Sequence, residues 1–377
     1  MQLLSPSALD TGIQYTNPVK STQQMNLIKT AYCIAMCILA ASCIKDPPLN
    51  PEADIETFTV NPGQITSSTF IDHANNRILL YLKPSAYETG IAPVITISEG
   101  ASIAPASGDS IHFDSTGITQ YVVTSQSRAY TKTYVVQVVN IGTWAWDFEW
   151  WGENDKDHYQ YPLESDSSIL WSSGNPGVAL GGVPANPSAY PLKATTDKYS
   201  GTYAAELITL PGTTLSGLVG IKLFAGSLFL GNFDSKNAFV APLKATQFGQ
   251  PYIGKAARFR GYYKYQPGPN YQDKSGNIVP GVTDSCSIYA VLYHGTTRLD
   301  GTDILTSDRI IATAMLPDGS ARGNFTLFDI PFTYKPGATT TGNLMMAIVA
   351  SSSKDGDSYK GAINSRLVLD SVSIIHQ

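Results

Sequence analysis

The chain has 377 residues and a formal net charge of −5, with 25 Lys and Arg against 30 Asp and Glu. Mild acidity without a basic cluster argues against a nucleic-acid partner. The length is comfortable for two domains, and the 43% hydrophobic content is enough to give each an apolar core.

Residues 1–24 are polar, lack periodicity and read as a start-site extension, because a secretory signal begins naturally at Met25. Lys29 precedes an uncharged apolar run over residues 30–44, which is shorter than the roughly 18 residues needed to span a bilayer. Ala40, Ala41 and Ser42 lead into Cys43, and Leu39-Ala-Ala-Ser-Cys43 resembles a lipobox, although Ala40 stands where a larger aliphatic residue is usual. In such a motif the cysteine takes a diacylglycerol and becomes the first mature residue. The expectation is therefore that residues 1–42 are removed and that Cys43 anchors the protein to a membrane. Cys33 and Cys37 leave with the signal, so Cys286 alone stays free and no intrachain disulfide can form. The expected location is the outer membrane, facing the surface or the periplasm. Asp46 hints at surface export.

Residues 43–53 read as a tether: three prolines and no apolar periodicity. From 54 to 140, short β-type runs follow one another between turn signals, at 55–60, 77–83, 94–98, 120–125 and 132–140. Strands at this spacing with no helical segment between them indicate a β-sandwich. The succession IETFTV, NRILLYLKP, VITISEGASIAPASGDSIHFD and QYVVTSQSRAYTKTYVVQVVN resembles the immunoglobulin-like domains near the N-terminus of many Bacteroidota surface lipoproteins. Such domains act as spacers or docking modules.

A boundary is expected near Ile141-Gly142. Beyond it Trp144, Trp146, Trp150 and Trp151 cluster, and alternation sends Trp144 and Trp146 to one buried side. Residues 256–265 alternate, with Ala257, Phe259, Gly261, Tyr263 and Tyr265 on one side and Arg258, Arg260, Tyr262 and Lys264 on the other. Further strands are read at 286–293, 309–314, 324–331, 344–350 and 366–375. The expectation is an all-β chain, an immunoglobulin-like β-sandwich followed over 141–377 by a jelly-roll β-sandwich. The stretches WDFEWW, WSSGNPGVA, YSGTYAAELIT, ARFRGYYKYQPG, DSCSIYAVLYHG, FDIPFTY and AIVASSSKDGDSYKGAINSRLVLDSVSI resemble, in order, the family called "putative carbohydrate metabolism domain". That resemblance implies a jelly roll similar to carbohydrate-binding modules.

Pyranose rings stack their C–H faces on aromatic rings, and their hydroxyls seek planar polar partners. Trp151, Tyr159, Arg258, Arg260, Tyr262 and Lys264 are the candidate carbohydrate-binding residues, against the plainer reading of core plugs and a solvated strand face. Carbohydrate-binding jelly rolls commonly hold a structural calcium where the first and last strands meet. Glu149 and Asp370 match those positions, though no complete calcium loop is present. For catalysis, a glycosidase needs two facing carboxyl groups. The second half has four glutamates (Glu149, Glu153, Glu164, Glu206), and no nucleophile-elbow, zinc-protease or Cys-x-x-Cys motif. The sequence therefore points to a lipid-anchored, non-catalytic protein that captures polysaccharide. The alternatives are a glycoside hydrolase, or an adhesion component that binds other surface proteins.

Overall fold

The computed structural model describes residues 48–73, 75–139, 143–238 and 240–377. Cys43, the signal and the tether as far as residue 47 lie outside the described residues. Among the described residues no helix is long and apolar enough to cross a membrane.

The chain is all-β. Its first part is a small sandwich. A five-stranded sheet runs in the order Ile65–Asp72, Arg77–Leu82, Thr131–Val138, Ile118–Thr124, Ser102–Ala104. Against it lies a two-stranded sheet, Ile55–Thr59 with Val94–Ile97. Ile55, Phe58, Ile78, Leu80, Tyr121 and Tyr134 fill the core. The strand Ile65–Asp72 is absent from the sequence expectation. It is rich in Ser and Thr, and its register with Arg77–Leu82 shifts twice, which breaks the period of two on which strands are recognised.

The larger part is a jelly-roll sandwich of two sheets. One is six-stranded: Leu192–Thr195, Ala204–Ile208, Arg366–His376, Ala256–Gln266 and Arg322–Pro331, with Ala145–Trp146 also on Arg366–His376. The other, nine-stranded, is centred on Ser227–Phe233, Leu344–Ser351, Ser287–His294 and Ile310–Met315. Between them Phe259, Tyr263, Leu369 and Val372 meet Leu230, Ile288, Leu292 and Met346. The expected alternation over 256–265 holds with one correction: a bulge opposite Arg366–His376 buries Ala256 and leaves Ala257 half-buried.

The two sheets differ in what covers their second face. The nine-stranded sheet is buried on both, since Phe229, Tyr289, Val291, Tyr293, Met345 and Val349 form a separate apolar layer beneath Leu299 and Ile304. Residues 344–350 are consequently an unbroken apolar run. The six-stranded sheet turns its second face to water. Trp146 is buried against Trp171, with ring centroids 5.2 Å apart, and half-buried Trp144 packs on Trp146 at 5.5 Å, so both lie on the inner side.

The small sandwich packs on the larger one. Phe70, Leu79 and Tyr81 join the larger core. Thr296 O accepts from Ser67 Oγ at 2.9 Å and Ser68 N at 3.1 Å, and the Arg298 guanidinium lies 4.8 Å from the Tyr81 ring centroid.

Candidate functional site

The outer face of the six-stranded sheet gathers four of the residues expected to bind carbohydrate. Arg258, Arg260, Tyr262 and Lys264 all point outward from Ala256–Gln266, because Phe259, Tyr263 and Tyr265 take the inward positions. None stands alone. Arg258 Nε lies 2.5 Å and Arg260 Nε 3.7 Å from Asp329. Lys264 Nζ donates to Asp197 at 2.8 and 2.9 Å, and Arg366 Nη1 reaches the same carboxylate at 2.8 Å. Arg366 also pairs with Glu206 at 2.5 Å, and Lys193 with Glu206 at 3.1 Å. Burial alone would raise the Asp197 carboxyl, but the Lys264 and Arg366 hydrogen bonds outweigh it and hold the group below its ordinary value.

Over this network lies a ring that sequence reasoning missed. Tyr199 stacks on Tyr262 with centroids 3.5 Å apart and planes 10° from parallel, and Phe325 meets it edge-on at 6.1 Å. Tyr199 is 48% exposed, so one face rests on Tyr262 while the rest of the ring meets solvent.

The two residues expected to hold calcium explain why the Tyr199 loop is fixed. Asp370 Oδ2 accepts from Tyr199 N at 2.7 Å and Ser200 N at 3.0 Å. Glu149 accepts from Thr202 N at 2.8 Å and Tyr203 N at 3.3 Å. Between these clamps Gly201 has φ +64°, and a Cβ there would sit 1.9 Å from Glu149 Oε1, so the position favours glycine and any side chain would displace the Glu149 carboxylate. Burial pushes the Asp370 carboxyl above the ordinary aspartate value, against the opposing pull of its N–H partners. This pair does not fit a calcium ion. Backbone N–H donors already occupy oxygens that a hard cation would need, and among the described residues no group of three or more His, Cys, Asp or Glu side chains could hold a metal.

The remaining two expected residues lie elsewhere, on or beside the hairpin Trp150–Glu153 and Gln160–Leu163. Trp151 is half-buried against the core, and its Nε1 donates to Phe148 O at 2.7 Å. Tyr159 is 3% exposed, enclosed by Tyr161 and Tyr190, and presents no open ring face to a sugar. The polar loop between them closes on itself through Glu153 and His158, 2.7 Å apart. Next to this hairpin, burial first, and then the charges of Asp166 and Asp147, push Glu164 up to about 7.

Two family models match the chain. The one described as "Putative carbohydrate metabolism domain" covers residues 147–375, and the one described as "SGBP, N-terminal" covers 55–138. Both agree with the resemblances read from the sequence. No curated protein sequence matches the chain. Among solved structures, the chain is similar to a "putative glycoside hydrolase" from Bacteroides thetaiotaomicron VPI-5482. Identity is 33% over 89% of this chain and 99% of that one, with a TM-score of 0.79. A protein from Bacteroides vulgatus ATCC 8482, described in the same words, is 30% identical over 62% of this chain and 98% of its own, with a TM-score of 0.57. By sequence and by structure, the chain belongs to the putative carbohydrate metabolism domain family, its jelly roll following a domain of the surface glycan-binding type.

Proposed function

We propose that the protein is a surface glycan-binding protein, tethered through a lipid on Cys43, which holds a polysaccharide on the Tyr199 platform without cleaving it. The observation that carries this reading is the ring of Tyr199, backed by Tyr262 and pinned through its own backbone by Asp370. A sugar face stacking there meets a ring that is already immobile, so little ordering entropy is lost on binding. Arg260, Lys264 and Asp197 around the ring offer donors and acceptors to hydroxyls. The test is affinity electrophoresis and calorimetry against a panel of soluble polysaccharides, with Tyr199→Ala beside the parent. Retardation by at least one glycan, lost in the variant by about tenfold or more, is the expected result. Failure across a broad panel would sink the reading. Cys43→Ser is expected to move the protein from the membrane to the soluble fraction.

Hydrolysis is the rival reading, and one observation favours it: Glu164 has the raised pKa of a general acid, with Asp147 nearby to act as its partner. Reducing-sugar release by the parent chain, absent in Glu164→Gln, would replace capture with cleavage. Glu164→Gln leaving glycan retardation intact and no reducing sugar from either protein would support capture.

A further inference from the structure

Behind the nine-stranded sheet, on the opposite side of the jelly roll's core, lies a cavity with different chemistry. It encloses about 240 Å³. Phe229, Tyr289 and Val349 form its floor, and Val178, Phe224 and Ile304 contribute walls. For scale, an engineered apolar cavity of about 150 Å³ in another protein stays dry and accepts benzene. The space here therefore suits an aromatic ring with substituents or a medium acyl chain.

The lining carries no Asn, Gln, Arg, His or Trp among the described residues, and its single carboxylate is Asp357. Those absences matter, because an oligosaccharide needs several planar polar side chains directed at its hydroxyls. The mouth is apolar as well as charged. Val219 and Leu243 line it at 59% and 40% exposure. Lys354 reaches it from the inner cavity, and Lys274 and Lys360 stand at the outer end. None of these three lysines forms an ion pair among the described residues, so against Asp357 the mouth keeps a surplus of positive charge.

We propose that this cavity binds a small anionic amphiphile, an acyl or aryl carboxylate, with its apolar body on Phe229 and Val349 and its carboxylate among Lys274, Lys354 and Lys360. Burying the tail removes apolar surface from water on both partners, while the lysines select the charge of the head. The site is independent of the Tyr199 platform. It sits on the other sheet and shares none of the platform's residues.

The test uses the whole chain carrying Cys43→Ser, so that no lipid or detergent accompanies it. Calorimetry with three probes of equal tail length (decanoate, decyl glucoside and decyltrimethylammonium) separates tail from head. Decanoate is expected to bind about tenfold or more tighter than the glucoside, and the cation weakest of all. Lys274→Glu with Lys354→Glu is expected to reverse that order, and Ser287→Phe, which fills the cavity from its floor, to abolish binding of all three. Thermal melting of each variant shows that the fold is kept, and Tyr199→Ala is expected to change none of the three affinities. Equal binding of the three probes, an order indifferent to the lysine reversal, or no binding of decanoate at millimolar concentration would overturn the proposal.

Discussion

The two sheets of the jelly roll share one core and treat their outer faces in opposite ways. The six-stranded sheet carries a layer of charge, Arg258, Arg260, Lys264 and Arg366 against Asp329, Asp197 and Glu206, and rests an exposed tyrosine on it. The nine-stranded sheet carries a second apolar layer and a cavity. One face carries directional pairs beneath a ring whose loop Asp370 and Glu149 fix, the other packing that leaves a space. Rigidity at the platform is therefore electrostatic in origin and sensitive to pH, whereas at the cavity it is hydrophobic and nearly indifferent to pH.

The largest effect expected on either face comes from the apolar one. Phe229 is 1% exposed and touches both the Phe248 ring, centroids 5.0 Å apart, and the cavity. Phe229→Ala should cost about 4 kcal/mol in chemical denaturation, by the same amount at pH 5 and pH 8. A loss that varied strongly with pH would break the comparison.

Arg366 is its counterpart on the charged face. Arg366→Met leaves Glu206, whose side chain is only 10% exposed, and Asp197 without their shared guanidinium, and should cost about 3 kcal/mol at pH 7. Here the pH dependence has a definite sign. Because Asp197 is held below its ordinary value, its contribution is present above about pH 4 and is lost as the pH falls through the lowered folded value. Denaturation curves of parent and variant should therefore converge in acid. Parallel curves down to pH 2 would show that the pair contributes packing rather than charge.

Glu164, beside the hairpin, titrates in the opposite direction. Its folded value of about 7 lies above the unfolded one, so the folded state holds the extra proton between them. Stability falls as the pH rises through that window, and the loss is complete above pH 7. Glu164→Gln should stabilise the protein at pH 8 by about 1.5 kcal/mol, reduced from the full shift by solvent screening, and leave it unchanged at pH 4. Melting temperatures at the two pH values decide it.

How much of this was legible depended on whether a residue's role was local. The strand at 256–265 announced itself by alternation, and the strand read at 344–350 is an unbroken apolar run, because period and burial are written into neighbouring positions. The outward set Arg258, Arg260, Tyr262 and Lys264 followed from that same period. Tyr199 did not. It lies in a loop with no periodicity, and its place is set by Asp370 and Glu149, which reach it from distant parts of the chain. Glu149 and Asp370 were singled out as carboxylates for a cation and stand here as acceptors of backbone N–H groups, and the two roles look alike in sequence. Trp151 and Tyr159 were chosen as aromatics flanking the polar loop 152–158, and that neighbourhood does not distinguish a ring turned outward from one enclosed, as Tyr159 is by Tyr161 and Tyr190.

The smallest stability change tests the platform most sharply. Tyr199 gives up its stack on Tyr262 in Tyr199→Ala, a pair worth about 1 kcal/mol or less at an exposed position. The backbone clamps from Asp370 and Glu149 do not depend on the side chain, so the loop should stay in place. Gly201→Ala does the reverse: it keeps the ring and breaks the clamp, because a Cβ cannot share the space of Glu149 Oε1 and the residue would hold an unfavourable positive φ. If the platform works by preorganisation, both variants lose glycan affinity, and only Gly201→Ala raises hydrogen exchange at the amides of residues 199–203. If Gly201→Ala binds as the parent does, an immobile ring is not what captures the sugar, and the contrast drawn between the two faces fails at its functional end.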